Sequence, residues 1–271
     1  MYFRISSFEK YGNLSKIDKE GILEGARVDS DEYEKESARD FVLWKGKKEG
    51  EPFWKSPWGD GRPGWHIECS AMSKKYLGDI FDIHTGGVDL IFPHHENEIA
   101  QSCGATDIEP VKYWFHIEHL LVNGEKMSKS KGNFYTLRDL LKKGFDPMAI
   151  RFLLLSVPYR KRLNFTLEGV DSAKSSIKRI ESFKIRLDEE KEKFTNGEET
   201  KYSDELERHK SKFEESLDDD LNTAETLGSF FEFLRVANSL MDKDEFTKKD
   251  YDLSYEMILN FQEIFGIPLF K

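Results

Sequence analysis

The sequence predicts an α/β half followed by an all-helical half, and three observations carry that reading. Six of the seven histidines lie between His66 and His119, and all five tryptophans lie between Trp44 and Trp114, so the chemistry is concentrated in the first half. In that half, apolar runs bounded by glycine, such as "DIFDIHTGGVDLIF" (79–92), have strand character. From residue 167 onward the pattern becomes long amphipathic helices separated by charged connectors, clearest in "DDDLNTAETLGSFFEFLRVANSLM" (218–241).

Taken in order, "MYFRI" reads as a short strand, followed by charged, loop-rich sequence to residue 40. Gly, Pro and Trp dominate 41–65, which suits a structured surface loop. "GWHIECSAMSKKYLG" reads as a helix ending at Gly78. Residues 79–92 follow as a buried strand, a glycine turn and a return to apolar sequence. "FPHHENEIAQSCG" then predicts a helix that begins after Pro93 and ends near Gly104. "YWFHIEHLLVNGEKMSKSKGNFYTL" (113–137) alternates apolar residues, turns at Asn123-Gly124, and continues as a mobile polar loop. "TLRDLLKKG" and "DPMAIRFLLLSV" are helices, the second with Pro147 in its first turn.

A formal charge of −10 and a pI near 5.4 argue against a generally basic nucleic-acid coat, although local basic patches remain compatible with phosphate contact. The best such patch is "PYRKRLNF" (158–165). Two cysteines, Cys69 and Cys103, cannot build a disulfide framework and fit a reducing cytoplasm. The chain contains no 18-residue apolar run, so no membrane partner is expected.

Three constellations could carry chemistry. Zinc takes thiolate, imidazole and carboxylate ligands, and Cys69, His94 and Glu98 supply one of each. His94 and Glu98 are one helical turn apart on one face. The plain alternative is a solvated helix face. Cys103 lies about 140° round the helix from Glu98 and points away. His66, three residues before Cys69, could instead close a four-ligand structural site, while His84 and His95 are weaker candidates. The second constellation, "GEKMSKSKGN" (124–133), places lysines among serines and glycines, as a phosphate-wrapping loop would, or simply a solvated basic loop. In the third, "TGGVD" (85–89), Gly86 and Gly87 would let a nucleotide approach the backbone while Asp89 accepts a hydrogen bond from a ribose hydroxyl. A Gly-Gly pair can equally be only a turn.

Together these motifs resemble a known family. "KMSKS" (126–130) is similar to the second signature of class I aminoacyl-tRNA synthetases. "SPWGDGRPGWHIECSAMS" (56–73), "DIHTGGVDLIFPHHENEIAQS" (82–102) and "GEKMSKSKGNF" (124–134) resemble cysteinyl-tRNA synthetases almost residue for residue. "LDDDLNTAETLGSFF" is similar to the helical domain beside the anticodon-binding part, so the resemblance covers essentially the whole chain. It implies the C-terminal half of a class I Rossmann-like nucleotide-binding fold followed by an all-α bundle. The implied division is 1–60 as the end of a connective insertion, 61–135 as the second half of the catalytic domain with its KMSKS loop, 136–170 as a helical junction, and 171–271 as a DALR-like bundle.

The implied activity is cysteine–tRNA ligation in a cytoplasmic monomer, with ATP and Mg²⁺, L-cysteine and tRNA(Cys) as partners. Cys69, His94 and Glu98 match three of four zinc ligands, and that zinc binds the substrate thiolate. Trp65, His66 and His84 match the cysteine pocket. Gly86, Gly87 and Asp89 match the adenosine contact, and Lys126 and Lys129 match the catalytic loop that steadies the ATP phosphates. The family's His-Ile-Gly-His signature and the cysteine that is its fourth zinc ligand do not occur here. The resemblance therefore implies an N-terminally truncated piece that also stops before the anticodon-binding end, lacks adenylation activity alone and binds zinc incompletely. Two further readings share the motifs: a cysteine ligase acylating a small amine-bearing sugar, and a non-catalytic paralogue that binds tRNA or zinc.

Overall fold

Strand β1 (Tyr2–Phe3) pairs antiparallel with β2 (Phe41–Val42), and the rings of Phe3 and Phe41 stack at 5.0 Å. The computed structural model describes residues 1–16, 40–194 and 203–269, so the charged stretch 17–39 lies outside the described residues. Two compact units form, Met1–Ile117 and Glu118–Lys271. The first has a small apolar core of Ile5, Tyr11, Phe41 and Ala100, with Phe3, Phe8, Leu43 and Phe92 packed against it.

The stretch 41–65 is more regular than a surface loop. Besides β2 it contains β3 (Trp44–Gly46) and β4 (Gly61–Pro63), paired antiparallel, with Trp44 opposite Pro63. Helix α1 (Trp65–Leu77) ends at Gly78 as the sequence predicts. Strand β5 (Phe81–Gly87) runs through both glycines of "TGGVD", and a 3-10 turn over Val88–Leu90 follows them. It pairs in parallel with β6 (Val111–Ile117), His84 opposite Trp114 and Gly86 opposite His116.

Strand alternation puts His84, Gly86, Trp114 and His116 on one face of this pair. Alternation also corrects the expectation of a buried β5. Its other face leaves Ile83 61% exposed, with Tyr113 and Ile117 beside it on β6 also exposed.

Between the strands, helix α2 (Glu96–Thr106) is preceded by a kinked segment, Ile91–His95, in which Phe92 is extended. It runs past Gly104, the predicted end, because that glycine lies against the Phe3 ring and Asp107 supplies the left-handed cap instead.

In the second unit, β7 (Leu121–Val122) and β8 (Glu125–Lys126) form the predicted hairpin, with Asn123 and Gly124 both at positive φ. Helix α3 (Leu137–Lys142) begins with a capping box between Thr136 and Asp139, and Asp146 caps α4 (Pro147–Leu155). A two-residue strand, β9 (Asn164–Phe165), returns in parallel to β7. Then come α5 (Leu167–Glu190), α6 (Ser203–Asp218), α7 (Thr223–Asp242) and α8 (Lys248–Phe265).

The period read over 218–241 is broken at its start. Asp220 and Leu221 take left-handed conformations, and Asn222 caps α7 by accepting from the Glu225 amide. Phe213, Phe230, Phe233, Phe261, Phe265, Met257 and Ile258 fill the core of this unit. Among the described residues no helix is long and apolar enough to cross a membrane.

Candidate metal centre and its surroundings

Cys69 comes from α1, His94 from the turn that enters α2, and Glu98 from the first turn of α2. One ligand atom from each lies within 4.8 Å of the other two. His94 and Glu98 are 5% and 4% exposed, and His94 Nε2 stands 2.7 Å from Glu98 Oε1. Yet Oε1 accepts no hydrogen bond. A thiol, an imidazole and a carboxylate brought together in this way make a ligand set that suits Zn²⁺. Burial first, then Glu98 and Glu68, push the Cys69 thiol above its ordinary value, so binding a metal there would release a proton.

His66 sits behind His94 and is not one of these three ligands. Its Nδ1 is 2.7 Å from His94 Nδ1, the nitrogen on the far side of the ring from Glu98. That contact orients the His94 ring with Nε2 toward Glu98, as the outer partner of a metal-bound imidazole does. Trp65, 60% exposed, lies with its ring 4.6 Å from that of His94 and stacked on His66 at 5.8 Å. Cys103 is elsewhere, its thiol facing the Ile108 carbonyl at 3.4 Å.

On the other side of Glu98, His84 Nε2 is 3.5 Å from Oε2. His95, a weaker ligand candidate by sequence, is 1% exposed, and its Nδ1 is 2.8 Å from His116 Nε2. The rings of His84, His95, Trp114 and His116 continue the aromatic cluster started by Trp65. Burial, followed by the neighbouring His84, His116 and His94, holds the His95 imidazole far below its ordinary value, at about 3, so it is neutral. His84 is lowered by burial as well, against the opposing pull of Glu98.

Gly86 makes room for His95, since a Cβ there would lie 2.6 Å from the ring carbon Cε1. Gly87 makes room for Asp89, whose Oδ1 would be 2.3 Å from a Cβ. The signal for His95 and His116 was present in the sequence as the alternation of His84, Gly86, Trp114 and His116, but only strand register lines it up with α2.

Helix α2 is anchored by polar groups that the sequence reading also missed. Buried Glu96 accepts from the Gly12 amide (3.0 Å), the Ser15 amide (2.7 Å) and the Ser15 hydroxyl (2.9 Å). Tyr11 donates to Asn97 Oδ1 at 2.6 Å, and Ser70 of α1 donates to Gln101 Oε1 at 2.6 Å. The chain before residue 17 and helix α1 thus hold the helix that carries Glu98.

Lys126 and Lys129 belong to the second unit, where both are exposed. Their loop is more ordered than a mobile polar segment. Asn133 accepts from the Ser128 amide at 2.8 Å and donates to the Lys126 carbonyl at 3.2 Å, while Met127 packs on the core. Lys131 pairs with Glu125 at 2.9 Å, and Lys129 stands over the Phe134 ring. In "PYRKRLNF", Arg160 pairs with Asp220 and Arg162 with Glu118, which reduces the local positive field.

Residues 1–175 match the family described as tRNA synthetases class I (C) catalytic domain, and residues 212–270 match the DALR domain. A cysteine–tRNA ligase of Solibacter usitatus is 54% identical over 98% of this chain and 57% of its own length. Those of Brachyspira hyodysenteriae and Leptospira interrogans are 52% and 50% identical, with 55% and 58% of their lengths covered. The chain thus spans little more than half of these relatives. Among solved structures, Mycobacterium tuberculosis methionyl-tRNA synthetase in complex with methionyl-adenylate superposes with a TM-score of 0.64 at 16% identity, over 84% of this chain and 52% of that one, a likeness of fold alone. With well over half of its residues matching the catalytic-domain family, the chain belongs to the class I (C) tRNA synthetases, followed by a DALR helical domain.

Proposed function

We propose that this chain is the thiol-selecting and phosphate-binding part of a cytoplasmic, monomeric cysteine–tRNA ligase. Such an enzyme activates L-cysteine with ATP and Mg²⁺ to cysteinyl-adenylate and transfers the aminoacyl group to tRNA(Cys). The observation that carries the reading is the convergence of Cys69, His94 and Glu98 beside the exposed face of Trp65, in a chain whose curated relatives are named cysteine–tRNA ligases. The small-amine ligase and the non-catalytic paralogue have no comparable support.

Cys69, His94 and Glu98 would hold a zinc ion. When bound, that ion supplies a soft Lewis acid that takes a thiolate in preference to the hydroxyl of serine. The surrounding residues act on geometry. His66 fixes the His94 ring, the Glu96 and Asn97 contacts hold α2 in place, and Trp65 forms an apolar wall against which a short side chain can lie. His84 borders the same space through Glu98.

In this reading Gly86 and Gly87 bring β5 close to the adenosine, and Asp89 accepts from its ribose. Lys126 and Lys129 neutralise the phosphate charge that develops as the cysteine carboxylate attacks the α-phosphorus and pyrophosphate leaves. We take 61–135 as catalytic-domain sequence, after the connective stretch 1–60, and 136–170 as a helical junction to the bundle at 171–271. The basic stretch 158–165, where Arg160 and Arg162 are exposed, would contact tRNA phosphates.

The test is cysteine-dependent ATP–pyrophosphate exchange in the full-length protein. Lys129→Ala should slow exchange by about 100-fold, the scale of losing one charge-stabilising donor, with metal content unchanged. Equal exchange rates would remove Lys129 from the mechanism.

A further inference from the structure

We propose that Asp220 is a positioning residue for the loop that carries Lys126 and Lys129. It sits at the corner between α6 and α7, where Asp220 and Leu221 both take left-handed backbone, with φ of 54° and 55°. Residues with a Cβ seldom adopt that conformation, and for a bulky leucine it is an outlier. Such backbone persists where the surrounding structure over-determines it. Here the Leu221 amide donates to the Leu217 carbonyl at 3.0 Å, and the Asn222 amide to the Ser216 carbonyl at 2.9 Å. The corner so fixed presents the Asp220 carboxylate to the turn at 158–162.

Two side chains of that turn receive it. The Tyr159 hydroxyl donates to Asp220 Oδ1 at 2.6 Å. The Arg160 guanidinium donates to both oxygens, Nη2 to Oδ1 at 3.2 Å and Nε to Oδ2. A two-pronged guanidinium–carboxylate pair fixes orientation as well as distance. The Arg160 and Asp220 side chains are 64% and 50% exposed, so the pair adds little to stability and contributes geometry instead.

The β7–β8 hairpin is built on the segment that this clasp holds. The Glu118 amide donates to the Tyr159 carbonyl at 2.8 Å, and Arg162 donates to the Glu118 carboxylate at 3.1 Å. The Leu121 and Asn123 amides donate to the Leu163 and Phe165 carbonyls at 2.7 and 3.1 Å. The Gly124 amide donates to Asn164 Oδ1 at 2.7 Å, and β7 pairs with β8 so that Leu121 lies opposite Lys126. Contiguous hydrogen-bonded segments therefore run from the α6–α7 corner to the strand that carries Lys126, all within Glu118–Lys271. A lysine that meets charge as it develops stabilises it fully only when held in place beforehand. The use made of Lys126 and Lys129 rests on the ligase reading above, whereas the clasp rests on these contacts alone.

Asp220→Asn suits the test, because asparagine tolerates the left-handed backbone and removes the charge. Arg160→Gln removes the fork from the other side. Amide hydrogen exchange of this chain should be severalfold faster at Leu121, Asn123 and Gly124 in either variant, with α8 unchanged. The double variant should be no faster than either single one, as for two partners of one contact. In the full-length protein each variant should lower kcat for cysteine-dependent ATP–pyrophosphate exchange by about 10-fold, with KM for cysteine unchanged. Hairpin amides at the wild-type rate in both variants, or faster hairpin amides with undiminished kcat, would overturn the proposal. A wild-type protein without cysteine-dependent pyrophosphate exchange would instead refute the ligase reading, and the hairpin amides would then decide the clasp by themselves.

Discussion

In Glu118–Lys271 most buried side chains are apolar, with Phe261 4.3 Å from Phe230 and 4.9 Å from Phe265, and its buried polar groups serve helix ends, as where Asp250 accepts from Ser203 and Thr247. In Met1–Ile117 the same depth is given to His94, His95, Glu96, Asn97, Glu98 and Gln101, against an apolar core of a few residues. Burying polar groups is unfavourable unless each finds a partner, so the two units answer different demands. The helical unit is built for cohesion. The first unit keeps polar side chains away from water and aimed at one another, and its stability depends on a web of hydrogen bonds around α2.

The difference can be measured directly, because all five tryptophans lie in the first unit and most helix lies in the second. Tryptophan fluorescence therefore follows one unit and far-UV circular dichroism mainly the other. The largest expected effect comes from Phe261→Ala, which empties a fully buried stacked position and should destabilise the helical unit by about 3–5 kcal/mol. Its urea transition by dichroism should move well down while the fluorescence transition stays put. Coincident shifts would show that the units unfold as one.

Next is Glu96→Ala, which leaves the Gly12 amide and the Ser15 amide and hydroxyl without their acceptor. A loss of about 2 kcal/mol is expected, confined to the fluorescence transition. A silent Glu96→Ala would mean that hydrogen bonding does not hold the first unit together. The smallest effect lies on the surface of the helical unit. Arg160 first, then Tyr159, holds Asp220 below the ordinary carboxylate value. A lowered folded value contributes stability above the unfolded pKa, and that contribution is lost as pH falls through the folded one. Arg160→Gln should raise the Asp220 midpoint in an NMR titration and hardly change stability, as exposed pairs contribute little. An unmoved midpoint would contradict the pairing.

Much of this arrangement was legible in the sequence where the signal is local. Asn123-Gly124, the Pro147 helix start, the end of α1 at Gly78 and the His94–Glu98 spacing each report within a few residues. Pairing across long sequence separations was not legible. Strand β9 is two residues long and is defined only by lying beside β7. His95 and His116 needed the register of β5 on β6 to meet. The end of α2 was misplaced because Gly104 serves packing against Phe3, a contact made across about a hundred residues. His66 matched a pocket position, and the structure sets it behind His94. Sequence spacing points to donor types, and the fold decides which of them come within 4.8 Å of one another.

The central claim is that the Cys69 thiolate, with His94 and Glu98, holds a metal ion that selects a thiol substrate. Its most direct test is the charge-transfer absorption of the cobalt-loaded protein with and without L-cysteine. The account predicts an absorption that is lost in Cys69→Ser, and that in wild type intensifies with L-cysteine and not with L-serine. A spectrum unchanged by Cys69→Ser, or an equal response to the two amino acids, would contradict it.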